Sequence, residues 1–218
     1  MTYVPGTGSN LGKIGGDIER ADRMVSDASR LAPGSSTAVI TWVGYDAPQT
    51  LIEATSGSYA DHGAGALRSF QAGLGISHVG GDANYTVVGH SYGSTVIGHA
   101  ARDGSLGADN LVFVGSPGVG VDHASDLHID PRHVYATVAA NDPIQYGTVH
   151  GPDPTRPGFG AQQFASDPGS ASMHAHSEYW DDGNRARSNM AAIVTGHPEL
   201  VQPPTPTPAP GPAPTPPR

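Results

Sequence analysis

Short runs of apolar, β-branched residues recur along the chain and alternate with longer segments of mixed polarity. Apolar residues at successive positions predict strands that are covered on both faces of a sheet. The predicted strands are Thr2–Val4, Thr37–Val43, Tyr85–Val88, Asn110–Val114, His133–Ala139 and, from a weaker signal, Ala161–Ser166.

The segments between these runs have the spacing and composition of helices. Residues 15–34 place Ile18, Met24, Val25 and Leu31 at roughly helical intervals, and further helices are predicted within 59–75, 94–104 and 184–196. Strands that alternate with helices predict an α/β fold, with a mostly parallel sheet flanked by helices.

The end of the chain differs from the rest. The stretch "PPTPTPAPGPAPTPPR" at 203–218 offers almost nothing to bury and is typical of an extended, proline-rich tail or linker. We therefore predict one folded domain over residues 1–201 and a tail over 202–218.

Composition narrows the possible partners. The 218 residues carry a formal net charge of -9, without a basic cluster of the kind that binds nucleic acid. Cysteine is absent, and no apolar run approaches the roughly 18 residues of a membrane span. The first residues lack the pattern of a secretory signal peptide. We expect no nucleic-acid partner and no membrane span, with a cytoplasmic location as the default.

One short motif suggests chemistry. Gly89-His90-Ser91-Tyr92-Gly93 spells G-x-S-x-G between a predicted strand and a predicted helix. A sharp reversal there presents the serine, and glycines two positions either side avoid a clash. Ser91 is therefore a candidate nucleophile, although the same glycines would suit a simple tight turn.

A nucleophilic serine of this kind needs backbone amides that stabilise a developing oxyanion. The amide of Tyr92, at the start of the next helix, is one candidate donor. The second should come from the glycine-rich loop after the first strand, where we assign Thr7, with Gly6 as the alternative.

A base and an orienting carboxylate should follow the serine in the chain. Asp142 comes directly after the strand at 133–139, and its rival Asp122 lies in a longer loop. Among the later histidines we favour His176, which Ser177, Glu178 and two aromatic residues should order. The other candidates are His150, His174 and His197.

Together these stretches resemble the α/β-hydrolase superfamily, and more closely an actinobacterial α/β-hydrolase family of unknown function. The resemblance rests on "VPGTGS", "VITWVGYDAP", "VVGHSYGS", "LVFVGSPGVGVDHA", "AANDPI", "HGPDP", "FGAQQF" and "HSEYW", which span residues 3–196. It implies Ser91, Asp142 and His176 as a catalytic triad, in agreement with the choice made from the residues, but implies no substrate.

The expected function is that of a serine hydrolase, a carboxylesterase that needs no cofactor and no metal. The segment 117–131 has the length of a small cap and lacks a strongly apolar patch, which favours short-chain esters over long lipids. Amide cleavage, acyl transfer, or a non-catalytic interaction module on a hydrolase frame are the alternatives.

The start of the chain leads to a further expectation. The oxyanion loop begins at Pro5, so the first two strands usual in this fold are absent. We predict six strands in the order 37–43, 2–4, 85–88, 110–114, 133–139, 161–166. The strand Thr37–Val43 would then be a long apolar edge that favours self-association, and the sequence would derive from a longer protein.

Overall fold

A computed structural model describes residues 1–204. Its six strands form one sheet in which every neighbouring pair is parallel. The strands are β1 (Thr2–Val4), β2 (Ile40–Thr41), β3 (Thr86–His90), β4 (Asn110–Val114), β5 (Val134–Thr137) and β6 (Gln162–Gln163). Their order, β2-β1-β3-β4-β5-β6, confirms the predicted order.

Four α-helices flank the sheet: α1 (Gly15–Leu31), α2 (Ser58–Ser77), α3 (Tyr92–Asp103) and α4 (Arg185–Val194). Short 3-10 helices occupy the connections at Leu11–Lys13, Glu53–Thr55, Ala124–Asp126, Pro131–His133, Pro143–Tyr146, Met173–Trp180 and Pro198–Leu200. Helices α2 and α3 pack together on one face of the sheet, and α1 and α4 on the other. The predicted α/β-hydrolase architecture is confirmed.

The central strands β3 and β4 are buried at every position because both faces of the sheet are covered. Val87 packs in the core beneath α2 and α3, whereas Val88 packs in the core beneath α1 and α4. The same alternation separates Phe113 from Val114 in β4. Side chains of successive strand residues point to opposite faces, so a continuous apolar run serves two cores.

The buried face of α1 differs from the predicted one. Its buried residues are Asp17, Ala21, Met24 and Ala28, while Ile18 and Leu31 remain exposed. The small side chains of Ala21 and Ala28 allow a close approach to the sheet, and Met24 is the large apolar side chain that this helix buries. Asp17 is buried because it pairs with Arg20 and Tyr3.

The folded part extends slightly beyond the predicted boundary at residue 201. The amide of Gln202 donates to Asn189 Oδ1 at 2.8 Å, and its carbonyl accepts from the amide of Ala165 at 2.8 Å. Residues 205–218, which make up most of the predicted tail, lie outside the described residues.

The prediction of a long apolar edge strand is wrong in its length. Only Ile40–Thr41 pairs with β1, so the strand is two residues long rather than seven. Trp42 turns inward, where its ring stacks on Tyr45 at 6.0 Å between centroids and approaches Phe70 at 6.3 Å. The amide of Trp42 still donates to the carbonyl oxygen of Tyr3 at 2.8 Å, and the pairing with β1 ends there.

Self-association through this edge stays a prediction. Because Ile40 is still partly exposed on β2, we expect dimers or larger species in sedimentation velocity at high concentration. Ile40→Lys should shift the protein toward the monomer, since a lysine on an edge strand opposes pairing. A wild-type protein that stays monomeric and fully folded at high concentration would contradict the prediction.

Candidate active site

Ser91 occupies the sharp turn between β3 and α3. Its backbone angles are φ 55° and ψ −130°, and it is the only non-glycine residue with positive φ within residues 1–204. Such a conformation costs on the order of 1–3 kcal/mol and persists only where the surroundings enforce it. The strain presents the side chain of Ser91 at the carboxyl end of the sheet.

Glycines on both sides make this turn possible. A Cβ atom on Gly89 would lie 2.7 Å from the backbone nitrogen of Ser94, and one on Gly93 would lie 2.0 Å from the carbonyl oxygen of Val4. Neither position can hold a side chain without displacing the backbone. The G-x-S-x-G pattern therefore has a steric cause in the close approach of β1, β3 and α3.

The structure brings Asp142 and His176 together, although 34 residues separate them. The Nδ1 atom of His176 lies 2.8 Å from Oδ2 and 3.0 Å from Oδ1 of Asp142. Because a carboxylate accepts this bond, Nδ1 carries the proton and Nε2 is left available as a base. Asp142 is fully buried, and His176 is partly exposed.

His176 and Ser91 line the same pocket. No hydrogen bond joins their side chains within the described part of the chain. In unliganded enzymes this contact is often long and tightens when substrate binds.

Asp142 is held in its ionised form. Burial by itself would raise its pKa, but the hydrogen bond and charge of His176 hold the pKa below its usual value of 3.8. Tyr179 Oη donates to Oδ2 at 2.5 Å, and the amide of Ile144 donates to Oδ1 at 2.9 Å. Burial also raises the pKa of Tyr179, so its hydroxyl keeps the proton that it donates.

The predicted oxyanion donors lie beside Ser91. A Cβ on Gly6 would lie 2.8 Å from Ser91 Cβ and 3.0 Å from the Tyr92 nitrogen, which places the loop after β1 directly against the turn. The amides of Gly6, Thr7 and Tyr92 have no hydrogen-bond acceptor among residues 1–204. All three residues line the pocket that holds Ser91.

The rival residues lie elsewhere. Asp122 is exposed and bonds to no histidine among the described residues. His150 uses Nε2 on the carbonyl oxygen of Ala54, and His197 pairs with Glu199. His174 is exposed and lies outside the pocket lining.

The pocket beside Ser91 has a volume of about 630 Å³. Its lining includes the apolar residues Leu51, Ala54, Ile144, Val149 and Met173. It also includes Gly16, Asp17 and Arg20 of α1, and Lys13, which precedes that helix. The pocket therefore combines apolar and charged lining residues.

The expectation that residues 117–131 form a cap over the site is wrong. Only Pro117 of this segment lines the pocket, while Val119, Ala124 and Leu127 are buried in the core beneath α2 and α3. These apolar side chains are anchored against α3, so the segment cannot lie over Ser91. Residues from 51–55 and 143–149 border the pocket instead.

His90 is a neighbour of the site that the sequence did not single out. Its Nε2 donates to the carbonyl oxygen of His176 at 2.6 Å, and the two rings lie 4.7 Å apart. Burial lowers the pKa of His90 well below its usual value, and the charges of His176 and Arg20 act in the same direction. A neutral His90 thus holds the backbone of His176. The only indication of this role in the sequence was the position of His90 within the G-x-S-x-G motif.

Tyr179→Phe should loosen the orientation of Asp142, because the variant loses the hydrogen bond to this carboxylate and also the acceptor of the Ala139 amide. We expect kcat to fall about tenfold, which corresponds to about 1.4 kcal/mol in the barrier. The stabilisation from the depressed pKa of Asp142 is present above pH 4 or so and is lost as pH falls through the folded-state pKa. In the variant that pKa rises, so acid destabilisation should begin at higher pH.

Kinetics and thermal unfolding between pH 3 and 8 would measure both effects. Tyr135→Phe is the matched control, because Tyr135 is also buried but its hydroxyl bonds to none of the described residues. If the two variants gave the same acid midpoint, Tyr179 would have no role in orienting Asp142.

A parallel sheet of this order, with a strained serine at a strand–helix turn and an Asp–His pair at the same edge, defines the α/β-hydrolase class. A family model described as "Alpha/beta hydrolase" matches residues 2–151. The chain therefore belongs to this family. The match includes Ser91 and Asp142 and ends before His176.

Mycobacterial proteins are similar to this chain. The uncharacterized protein Rv2079 of Mycobacterium tuberculosis is 34% identical over 229 residues, which cover 91% of this chain and 35% of the relative. The uncharacterized protein Mb0988c of Mycobacterium bovis is 38% identical over 109 residues, covering 50% of this chain and 41% of the relative. The chain thus spans about a third of the length of the first of these relatives.

Two features are absent from residues 1–204. No helix in this range combines the length and apolar character needed to cross a bilayer. No group of three or more His, Cys, Asp or Glu side chains in this range is arranged to hold a metal ion.

Proposed function

We propose that the protein is a serine hydrolase that cleaves carboxylic esters through an acyl-enzyme formed on Ser91. The observation that carries the proposal is the convergence on one pocket of a strained serine and a histidine bonded to a buried aspartate. Membership of the α/β-hydrolase family supports the same chemistry.

In the proposed reaction, Ser91 Oγ attacks the ester carbonyl carbon while His176 Nε2 takes the hydroxyl proton. The amides of Tyr92 and Thr7, with Gly6 as the alternative to Thr7, stabilise the oxyanion. The carbon–oxygen bond to the alcohol breaks, and His176 returns the proton to the leaving oxygen. Water then attacks the acyl-enzyme by the same route and releases the acid and free Ser91. Asp142 stabilises the imidazolium formed in each half.

A fluorophosphonate probe tests this proposal directly. The probe phosphonylates serines that a neighbouring base activates, so we expect one covalent adduct on the peptide containing Ser91. Ser91→Ala and His176→Ala should both prevent labelling. Folded wild-type protein that stays unlabelled would favour the alternative of a non-catalytic interaction module.

The proposed substrates are small esters with short acyl chains. In a series of 4-nitrophenyl esters from acetate to palmitate, kcat/KM should be highest for the shortest acyl chains. A maximum at long chains with activation by lipid interfaces would contradict this. Amides in place of esters, or added alcohols as acyl acceptors, would separate the amidase and acyltransferase alternatives.

A further inference from the structure

We propose that the wall of the pocket formed by the start of α1 binds a carboxylate, so that the preferred esters carry one negative charge away from the scissile carbonyl. The inference rests on the proposed function and assigns the substrate class of the same site. The residues that carry it are Lys13 and Arg20.

The pocket contains two basic side chains, although the protein as a whole is acidic. The chain has a net charge of -9, with 11 basic residues and a single lysine, Lys13. Lys13 and Arg20 both line the pocket, and Asp17 is its only acidic lining residue. A local positive charge on an acidic protein focuses anionic ligands into the cavity.

Arg20 is held in place by its neighbours, and two of its nitrogens remain available as hydrogen-bond donors. Its Nη1 donates to Tyr3 Oη at 3.0 Å and to Asp17 Oδ1 at 3.1 Å, and its guanidinium lies 4.9 Å from the centroid of the Trp180 ring. Its Nε and Nη2 have no acceptor among residues 1–204, yet they are not sealed from solvent. A pre-oriented guanidinium edge of this kind suits a carboxylate.

The charges at this wall leave one positive unit uncompensated. Asp17 offsets Arg20, while Lys13 forms no ion pair within the described residues. The amides of Gly15 and Gly16, the first of α1, have no acceptor among residues 1–204, and Gly16 lines the pocket, which adds the positive end of the helix dipole. A single excess charge matches a monoanion such as a carboxylate better than a phosphate dianion.

The relative positions of the side chains require a spacer in the substrate. Trp180, which lies beneath Arg20, also lies 5.0 Å from the ring of His90, the residue before Ser91. Trp180 itself does not line the pocket, and no hydrogen bond joins the guanidinium to Ser91 among residues 1–204. A carboxylate that reaches the guanidinium must be several bonds from the ester carbonyl, as in the half-ester of a dicarboxylic acid.

The experiment compares matched anionic and neutral esters. Mono-4-nitrophenyl glutarate is paired with 4-nitrophenyl pentanoate, and 4-acetoxyphenylacetate with its methyl ester, so that the charge lies on the acyl or the alcohol side. We expect the wild type to favour the anionic member of at least one pair by tenfold or more in kcat/KM. Lys13→Glu should lower that ratio at least tenfold, and 0.5 M salt should lower it as well.

Arg132→Glu is the matched control, because it makes the same change in charge sign at an exposed side chain outside the pocket. It should leave the ratio unchanged. Arg20→Lys keeps the charge and loses the planar guanidinium, so an intermediate ratio is expected. A wild-type ratio near one for both pairs, or a ratio that Lys13→Glu and Arg132→Glu lower equally, would overturn the inference.

A binding measurement separates this inference from the proposed function. Calorimetry on Ser91→Ala measures the affinity for the intact glutarate half-ester and for the neutral ester without turnover. If no ester is hydrolysed by the wild type but the half-ester still binds through Lys13, the hydrolase proposal fails and the carboxylate site stands. Equal binding of the two esters would refute the site.

Discussion

Replacing Ser91 by alanine should lower kcat for a 4-nitrophenyl ester by roughly three to six powers of ten, because the acyl-enzyme can no longer form. The hydroxyl of Ser91 makes no hydrogen bond within the described residues, and its backbone bonds do not depend on the side chain. The free energy of unfolding should therefore change by less than about 1 kcal/mol. Initial-rate or stopped-flow kinetics measure the change in kcat, and thermal unfolding measures the change in stability.

Ser177→Ala is the matched control, since Ser177 lines the same pocket, is exposed and has no side-chain hydrogen bond among residues 1–204. Its kcat should stay within about twofold of the wild type. Ser91→Gly adds a second test, because glycine adopts positive φ without strain. This variant should be inactive but about 1 kcal/mol more stable than Ser91→Ala. A loss of less than tenfold in Ser91→Ala would remove Ser91 as the nucleophile.

Gly93→Ala should destabilise the fold by at least about 3 kcal/mol, which corresponds to a fall of roughly 6–12 °C in Tm. The added Cβ would lie 2.0 Å from the carbonyl oxygen of Val4 and 2.8 Å from that of Pro5. Because both neighbours are backbone atoms, β1 and α3 must separate to admit it. Activity should fall with stability, since the loop after β1 carries the proposed oxyanion donors.

Gly73→Ala is the control for the added methyl group. Gly73 is also in a helix, α2, but a Cβ there meets nothing within 4 Å. Alanine should stabilise this helix by about 0.5–1 kcal/mol. If chemical denaturation gave similar values for both variants, steric contact with Val4 would not be the reason for glycine at position 93.

Local signals determined much of the fold and of the candidate site. Apolar runs covered on both faces predicted the strands, whereas the order of the strands came from the resemblance to the α/β-hydrolase superfamily. Glycines at 89 and 93 indicated the turn at Ser91, because the backbone approaches so closely at these two positions that only glycine fits without displacing it. Asp142 and His176 were chosen from their positions after strands, and their catalytic roles stay predictions.

Other features depend on contacts between residues distant in sequence, and only the tertiary structure decided them. Helix α1 buries Asp17 and exposes Ile18, because Tyr3 and Arg20 supply the partners for the carboxylate. Strand β2 ends where Trp42 turns into the core, and residues 117–131 pack against α3 rather than over the site. Arg20 likewise lines the pocket that holds Ser91 while it contacts Tyr3 of β1 and the ring of Trp180, which are distant from it in sequence. The hydrophobic period and the composition of a segment indicate whether it forms a helix or a strand. Which residues a buried side chain contacts depends on how the helices and strands pack together.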